Sequence, residues 1–436
     1  KMSTEQIYQE FLISTGICTD TRQEVEGKLF FALKGDSFDG NRFVEDALNR
    51  GCRLAISERQ DLEGSERPVI VPSVLELLQS LAHYHRMQVA PRLLAITGSN
   101  GKTTTKELIS AVLSTEFNLL ATRGNLNNHI GVPLTLLRLN REELAVVEMG
   151  ANHPGEIAEL ARIAAPKLGI ITNVGKAHLE GFGSLEGVLN AKGELYAYLA
   201  AHGGKAIIDG GDRVLRGKAD ELGVSYDLIA PGADLPVSVK LIGQKPKLEV
   251  ELTVGEDGIS FSTGLVGAYN LQNILLAAAC GVHFGISSEA IAAAISGYIP
   301  ENQRSQMIEG GRNRVVLDSY NANPSSMREA IGGVLSYGTT PLMLILGDMA
   351  ELGASSEQEH RDLFNWIASL DVDRVLLAGP NFYQVYEPSG NISVFRGRSE
   401  MEAQLRKEKP EGYHILVKGS RVMELERLKP LLVNNY

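Results

Sequence analysis

Three features of this 436-residue sequence predict an α/β protein in three domains. Short apolar runs alternate with helical patterns, a strand runs through a glycine turn into a helix at 93–113, and Pro91 marks a boundary between stretches of different pattern. Strands alternating with helices of this length pair in parallel, because a parallel neighbour is reached only by a crossover long enough to hold a helix. At roughly 150 residues per domain, the length itself fits three units.

The first block, 1–90, has extended segments at 28–33, 53–57 and 69–71 and helical ones at 43–50 and 74–87. The second, 91–303, opens with the apolar run 93–97 and continues with extended segments at 144–147, 168–172 and 205–208. A polar, glycine-punctuated stretch from 227 to 262 reads as short antiparallel strands, and a helix follows at 271–282. The third, 304–436, has extended runs at 314–317, 342–346, 374–378, 392–395 and 414–417, separated by helical patterns such as 356–370 and 400–407. That alternation describes a second doubly wound unit.

Apolar residues make up 44% and charged residues 22%, which excludes bulk disorder and fibrous repeats. The longest weakly polar stretch, 274–285, contains His283 and falls short of the ~20 residues of a membrane-spanning helix. No basic cap precedes an apolar core at the N-terminus, so no secretory signal is read. Three cysteines, far apart, suggest neither zinc nor a disulfide framework and point to a reducing compartment, the cytoplasm. The net charge of −11 argues against the broad basic face of a nucleic-acid binder. Anionic ligands must then be met by local devices: helix N-termini, glycine loops, a few cationic side chains and a bound metal.

The sharpest such device is Thr97-Gly98-Ser99-Asn100-Gly101-Lys102-Thr103-Thr104-Thr105. Gly98 and Gly101 let backbone N–H groups close around phosphate oxygens, and the helix that follows adds its N-terminal potential. Lys102 is placed to reach the terminal phosphates, and the hydroxyl of Thr103 or Thr104 to ligate Mg²⁺. The loop starts at Gly98, with Ile at position 96, and is a shortened variant of the usual pattern.

In an open parallel sheet, ligands gather where strands end. Glu148 follows the run 144–147 and His178 lies in the loop after 168–172, so the two converge on the phosphates as candidate ligands for divalent cations. Asn125, Asn127 and Asn128 sit between Gly124 and Gly131, either as an ordinary loop or as amides that hold a polar substrate. In the third block the loops 318–324, 347–353 and 418–421 each follow a strand and describe a binding rim. Lys418 and Arg421 supply cations suited to a carboxylate or phosphate.

Taken together, the phosphate loop, Glu148, His178 and Ala191-Lys192-Gly193-Glu194 resemble the Mur ligases, ATP-dependent amide-forming enzymes of peptidoglycan precursor synthesis. The loops 318–324, 347–353 and 418–421 look like the branch that adds D-alanyl-D-alanine to UDP-N-acetylmuramoyl-tripeptide. The Asp-Asn-Pro-Arg signature of a sibling adding a diamino acid is absent from the third block. The resemblance covers essentially the whole chain. It implies a small α/β domain for the UDP-sugar (1–90), a central parallel-sheet ATPase domain (91–303) and a C-terminal Rossmann-like domain (304–436) that closes over both.

Carried over position by position, the resemblance implies that Gly98, Ser99, Asn100, Gly101, Lys102, Thr103 and Thr104 hold ATP, with Asn270 and Asn273 at the hinge and Arg304 and Asp318 on the closing side. Thr103 and Glu148 are expected to ligate one Mg²⁺ and His178 a second, toward which Lys192, a candidate for carbamylation, forms a bridge. Lys102, His178 and Lys192 are thus the expected catalytic residues. Thr21, Arg22, Asp36, Phe38 and Asp39 resemble the uridine-nucleotide loops, and Asn125, Asn127 and Asn128 are expected to face the muramoyl-peptide. Asn321, Asn323, Lys418, Ser420 and Arg421 complete the expected substrate set. Two places depart from the family pattern: Asn41, where many relatives have histidine, and Asp209-Gly210-Gly211-Asp212, where an Asn-Ala-Asp-Asp turn is common.

The implied partners are UDP-N-acetylmuramoyl-tripeptide and D-alanyl-D-alanine, with no nucleic acid, no stable membrane insertion and a monomeric chain. The rival expectations are a sibling amide ligase acting on another amino acid or carrier and, from a different class, a nucleotide-driven switch.

Overall fold

The computed structural model describes residues 2–35, 37–62, 67–176, 179–301, 303–387 and 390–434, and among these the strands form four sheets. In the first, β1 (Ile17–Cys18), β2 (Leu29–Phe31), β3 (Leu54–Ser57) and β4 (Pro68–Ile70) run parallel in that order. They are accompanied by α1 (Thr4–Leu12), α2 (Val44–Asn49) and α3 (Val74–Val89). Neither α1 nor β1 was expected from the apolar pattern. The signal for α1 lies in its capping box, in which Ser3 and Gln6 each hydrogen-bond the other's backbone.

The central sheet contains β5 (Arg92–Thr97), β6 (Leu119–Ala121), β7 (Leu144–Glu148), β8 (Leu168–Ile171), β9 (Lys205–Asp209) and β10 (Ser225–Ile229), all parallel, in the order β10-β9-β8-β5-β7-β6. Its helices are α4 (Lys102–Leu113), α5 (Gly131–Leu136), α6 (Glu156–Ala164), α7 (Leu179–Phe182), α8 (Leu185–Ala201) and α9 (Arg213–Leu222). The connection from β5 leads to β6 on one side and that from its neighbour β8 to β9 on the other, so the carboxyl ends of β5 and β8 form the switch point at which doubly wound sheets bind ligands. The stretch expected to be antiparallel from 227 divides. Its first residues finish β10, a polar edge strand on which only Ile229 is buried. β11 (Val237–Gln244), β12 (Lys247–Val254) and β13 (Asp257–Val266) then form an antiparallel sheet of strands longer than expected, followed by α10 (Asn270–His283) and α11 (Ser288–Gly297).

The last sheet is ordered β14-β15-β19-β16-β17-β18, from β14 (Gln306–Ile308), β15 (Arg314–Asp318), β16 (Leu342–Gly347), β17 (Arg374–Ala378), β18 (Ile392–Phe395) and β19 (His414–Lys418). Only β14 runs antiparallel to its neighbour. Because β19 inserts between β15 and β16, Asp318 and Lys418 become register partners at the sheet's carboxyl edge. The helices are α12 (Pro324–Leu335), α13 (Ser356–Ala368), α14 (Pro380–Val385), α15 (Arg398–Glu408) and α16 (Lys429–Val433). Among the described residues, no helix is long and apolar enough to cross a membrane.

One hydrophobic core crosses the expected boundary at 90. It joins Ile7, Leu29, Leu78 and Leu81 to Leu93, Leu136 and Ala161. The α3 helix is the seam: Arg86 donates to the carbonyls of Ala164 (2.9 Å) and Ala165 (3.2 Å) at the end of α6, satisfying acceptors the helix leaves unpaired. The third block packs mainly on cores of its own. It meets the central block at the phosphate loop and through Lys176 and Glu359, paired at 2.7 Å.

Candidate active site

The chain leaves β5 at Thr97 and turns through Gly98 and Gly101 into α4. Gly98 has φ +144°, and a Cβ there would lie 2.0 Å from Thr172 Oγ1. Gly101 has φ +75°, a left-handed conformation that glycine adopts without strain. The end of β8 moulds the loop. Ser99 N–H donates to Asn173 O and Asn100 N–H to Asn173 Oδ1, both at 3.0 Å, while Thr172 Oγ1 donates to Asn100 O at 2.6 Å. These bonds occupy the N–H groups of Ser99 and Asn100. The first turn of α4 has no side-chain cap, so its N–H groups are the donors available to phosphate.

Lys102 Nζ lies on the loop's own carbonyls, Gly98 O at 2.7 Å and Ser99 O at 3.1 Å, and burial lowers its pKa. Behind it, Thr103 Oγ1 donates to Glu148 Oε2 and Asn127 Nδ2 to Glu148 Oε1, each at 2.9 Å. Glu148 is the last residue of β7 and is 1% exposed, so it is no solvated cap. Among the described residues no group of three or more His, Cys, Asp or Glu is placed to hold a metal. The hydroxyl and carboxylate oxygens of Thr103 and Glu148 are hard donors of the kind Mg²⁺ takes when phosphate and water complete its shell.

The hinge side is tied to the loop. Thr105 Oγ1 donates to Asn273 Oδ1 (3.0 Å), Asn273 Nδ2 to Asn270 Oδ1 (2.8 Å) and Asn270 Nδ2 to Val266 O (2.8 Å). From the third block, Lys418 Nζ donates to Asp318 Oδ2 at 2.7 Å and to Asn321 O at 3.1 Å. The Arg304 guanidinium lies 3.7 Å from the centre of the Tyr320 ring. One cleft of about 390 Å³ opens among these groups. Of the expected residues it gathers 99–104, Asn125, Asn127, Asn128, Glu148, Asn270, Asn273, Arg304, Asp318, Asn321, Asn323 and Lys418. Gly98 shapes the loop without lining the cleft.

Other expected residues sit elsewhere. Lys192 lies within α8 and is fully buried, with Nζ 3.4 Å from the carbonyl of cleft-lining Ala151 and 5.0 Å from the Phe182 ring centre. Burial, reinforced by the charge of Lys102, lowers its pKa to about 7. Arg421 is exposed, its guanidinium 5.6 Å from the centre of the Tyr320 ring, and Ser420 is buried beneath the rim. None of Thr21, Arg22, Phe38 and Asp39 lines the cleft. Arg50 donates to the Thr21 carbonyl, Arg22 pairs with Asp20 at 2.6 Å, Phe38 is exposed, and Asp39 accepts from the Asn41 N–H at 3.0 Å. Asp36 and His178 fall outside the described residues.

Structure also explains several loops. Asn41, the departure from family pattern, accepts from Ser57 Oγ (2.8 Å) and the Glu58 N–H (3.0 Å) and so pins its loop to β3. Asp212, in the other departure, caps α9. The 347–353 loop does not build the cleft wall: Asp348 turns away to accept from Asn381 N–H (2.8 Å) and Phe382 N–H (3.0 Å) at the start of α14. Sequence reasoning missed Asn173, Tyr269 and Glu329, which also line the cleft. Asn173 carried a signal in standing directly after a predicted strand, and Tyr269 in standing beside Asn270. Burial and Asp318 raise the Glu329 carboxyl, with Lys418 opposing.

A phosphate loop at a switch point, faced by cations from a second α/β unit, defines a nucleotide-dependent enzyme that works between two units. Family models match in the same order: the Mur ligase family catalytic domain at 14–86, the Mur ligase middle domain at 96–281 and the Mur ligase glutamate ligase domain at 303–421. The chain is 33% identical to the UDP-N-acetylmuramoyl-tripeptide–D-alanyl-D-alanine ligase of Bacillus subtilis, over 98% of this chain and 95% of that one. It is 35% identical to the Escherichia coli ligase of the same name, over 96% and 94%. Among solved structures it resembles MurF from Acinetobacter baumannii (32% identity, TM-score 0.87, 99% and 98% covered). It also resembles the MurF ligase of Thermotoga maritima in complex with ADP (26% identity, TM-score 0.85, 97% of each chain). The chain belongs to the Mur ligase family.

Proposed function

We propose that this chain joins D-alanyl-D-alanine to UDP-N-acetylmuramoyl-tripeptide at the expense of ATP, releasing ADP and phosphate, in cytoplasmic synthesis of the peptidoglycan precursor. The observation that carries this reading is the meeting of the Lys102–Thr103–Glu148 cluster and the Asp318–Lys418 pair in one cleft. Relatives of that name match the chain over nearly its whole length.

A carboxylate is a poor electrophile, because direct attack by an amine would have to expel oxide. Transfer of the γ-phosphoryl group to the tripeptide carboxylate gives an acyl phosphate, from which phosphate leaves when the dipeptide amine attacks. Both reacting partners are anions. Lys102, the N-terminus of α4 and Arg304 supply positive charge where they meet, so catalysis is mostly positioning and electrostatics. Mg²⁺, held by Thr103 and Glu148, would supply further neutralisation of phosphate charge. A second ion at His178 and a carbamate on Lys192 belong to the same reading. An amine lowered to about 7 is partly neutral near that pH, the form that adds CO₂. Residues 1–90 take the UDP-sugar, with Thr21, Arg22, Asp36, Phe38 and Asp39 as its contacts, and 304–436 close over the ATP-binding unit 91–303, with Ser420 and Arg421 on the substrate side.

The test mixes ATP, Mg²⁺, the UDP-linked tripeptide and D-alanyl-D-alanine and looks by mass spectrometry for a UDP-linked pentapeptide. ATP turnover that proceeds equally well without tripeptide and dipeptide, with no pentapeptide formed, would overturn the reading in favour of a switch.

A further inference from the structure

Lys106 lies one helical turn beyond Lys102 on α4, and its side chain is fully buried. An ammonium group taken out of water needs partners to remain there. Lys106 Nζ donates to the Thr122 carbonyl at 2.7 Å and pairs with Glu107 Oε1 at 2.7 Å. Thr122 follows β6, and its N–H donates to Val146 O at 3.0 Å, carrying the ladder with β7 one residue further. Its hydroxyl Oγ1 accepts the N–H of Glu148 at 2.9 Å. The Glu148 carboxylate in turn accepts from Thr103, which stands on the same helix as Lys106.

These contacts close a ring: Lys106 to Thr122, Thr122 to Glu148, Glu148 to Thr103, and Thr103 back to Lys106 through one turn of α4. We infer that Lys106 and Thr122 are positioning residues that hold the Thr103 hydroxyl and the Glu148 carboxylate in register for a divalent cation. The inference rests on the reading of the cleft as a metal–nucleotide site. Neither residue lines the cleft, so neither touches nucleotide directly. Lys106 braces the end of β6 from the helix, and Thr122 passes that constraint to the backbone of Glu148. Asn127 completes the setting, donating to the other carboxylate oxygen while its own carbonyl accepts from Gly150 N–H at 2.8 Å.

The test compares ADP affinity of the full chain by calorimetry with and without Mn²⁺, in the wild type, Lys106→Met, Thr122→Val and Thr122→Ser. Met keeps the length of the side chain without its donor, Val keeps the shape of threonine without its hydroxyl, and Ser keeps the hydroxyl. We expect Lys106→Met and Thr122→Val to bind ADP alone as the wild type does, yet to lose roughly tenfold or more in Mn²⁺ affinity, as when support behind a metal ligand is removed. Thr122→Ser should retain it. If Lys106→Met does not fold, the Thr122 pair decides. Unchanged Mn²⁺ affinity in folded variants, or an equal loss of metal-free ADP binding, would overturn the positioning role alone. A wild type whose ADP binding ignores Mn²⁺ would overturn the reading of the cleft and the ring with it.

Discussion

Asn323 Nδ2 donates to Asn100 Oδ1 across 2.8 Å, so the third block is hydrogen-bonded to the phosphate loop itself. The same side chain caps α12, its Oδ1 accepting from the Ser326 N–H at 2.9 Å. One amide thus ends a helix and bridges two units.

Replacing that amide separates its two duties. In Asn323→Asp the carboxylate still caps α12 but offers no donor to Asn100 and brings negative charge toward bound phosphate. We expect kcat/KM for ATP to fall about tenfold, equivalent to ~1.4 kcal/mol, with a melting temperature near that of the wild type. Asn323→Ala should also lose about 1 kcal/mol of stability with its cap. Steady-state ADP release and thermal melts read the two effects. Wild-type kinetics in Asn323→Asp would show that the bridge does not serve closure.

Lys102→Ala removes a charge-stabilising donor from the loop. Turnover should drop by roughly two to three orders of magnitude. Near-normal ADP formation would remove Lys102 from the phosphate site.

Gly101 combines φ +75° with a neighbour: a Cβ there would lie 2.5 Å from Asn273 Oδ1. Gly101→Ala should destabilise the protein by at least ~1–2 kcal/mol, the cost of a left-handed alanine, and disturb the hinge through Asn273. Denaturant unfolding measures it, and a midpoint equal to that of the wild type would mean that the loop relaxes freely.

Lys192 gives stability a pH dependence of known sign. Its amine is lowered by burial to about 7 from an ordinary 10.5, so between those values the unfolded chain holds a proton that the folded chain lacks. The penalty is fully present below pH 7 and is relieved as pH rises toward 10.5. The free energy of unfolding should therefore rise more steeply from pH 7 to 9 in the wild type than in Lys192→Met. Bicarbonate should also partly restore activity to CO₂-depleted enzyme. Parallel pH curves with no bicarbonate response would reject both the lowered pKa and the carbamate.

The phosphate loop was legible because its parts are consecutive: strand, glycines, lysine, threonine and helix each declare themselves within the one stretch 93–113. Lys418 and Asp318 were legible as strand-end polar residues, but their pairing depends on β19 inserting beside β15, which no local pattern announces. Glu194 stood within a recognised segment, yet its structural duty could not be read there. Its carboxylate accepts from the N–H groups of Gly155 (2.6 Å) and Ala158 (3.0 Å), capping α6 from 36 to 39 residues away. Asp348 looked like a rim residue because it follows a strand, and only the placement of α14 turns it inward. β10 escaped for a simpler reason: Asp227 in its middle accepts from Lys205 and His283, so an edge strand reads as a polar loop.

The core shared across α3 has a mechanical consequence. A core continuous across α3 resists separation of the first sheet from the central one, whereas the third block, packed mainly on cores of its own, is the part the proposed closure would move. On the proposed function, the nucleotide sugar and ATP are then held at a fixed spacing throughout the catalytic cycle. The third block would then bring Arg304, Asp318 and Lys418 onto substrates already set at that spacing.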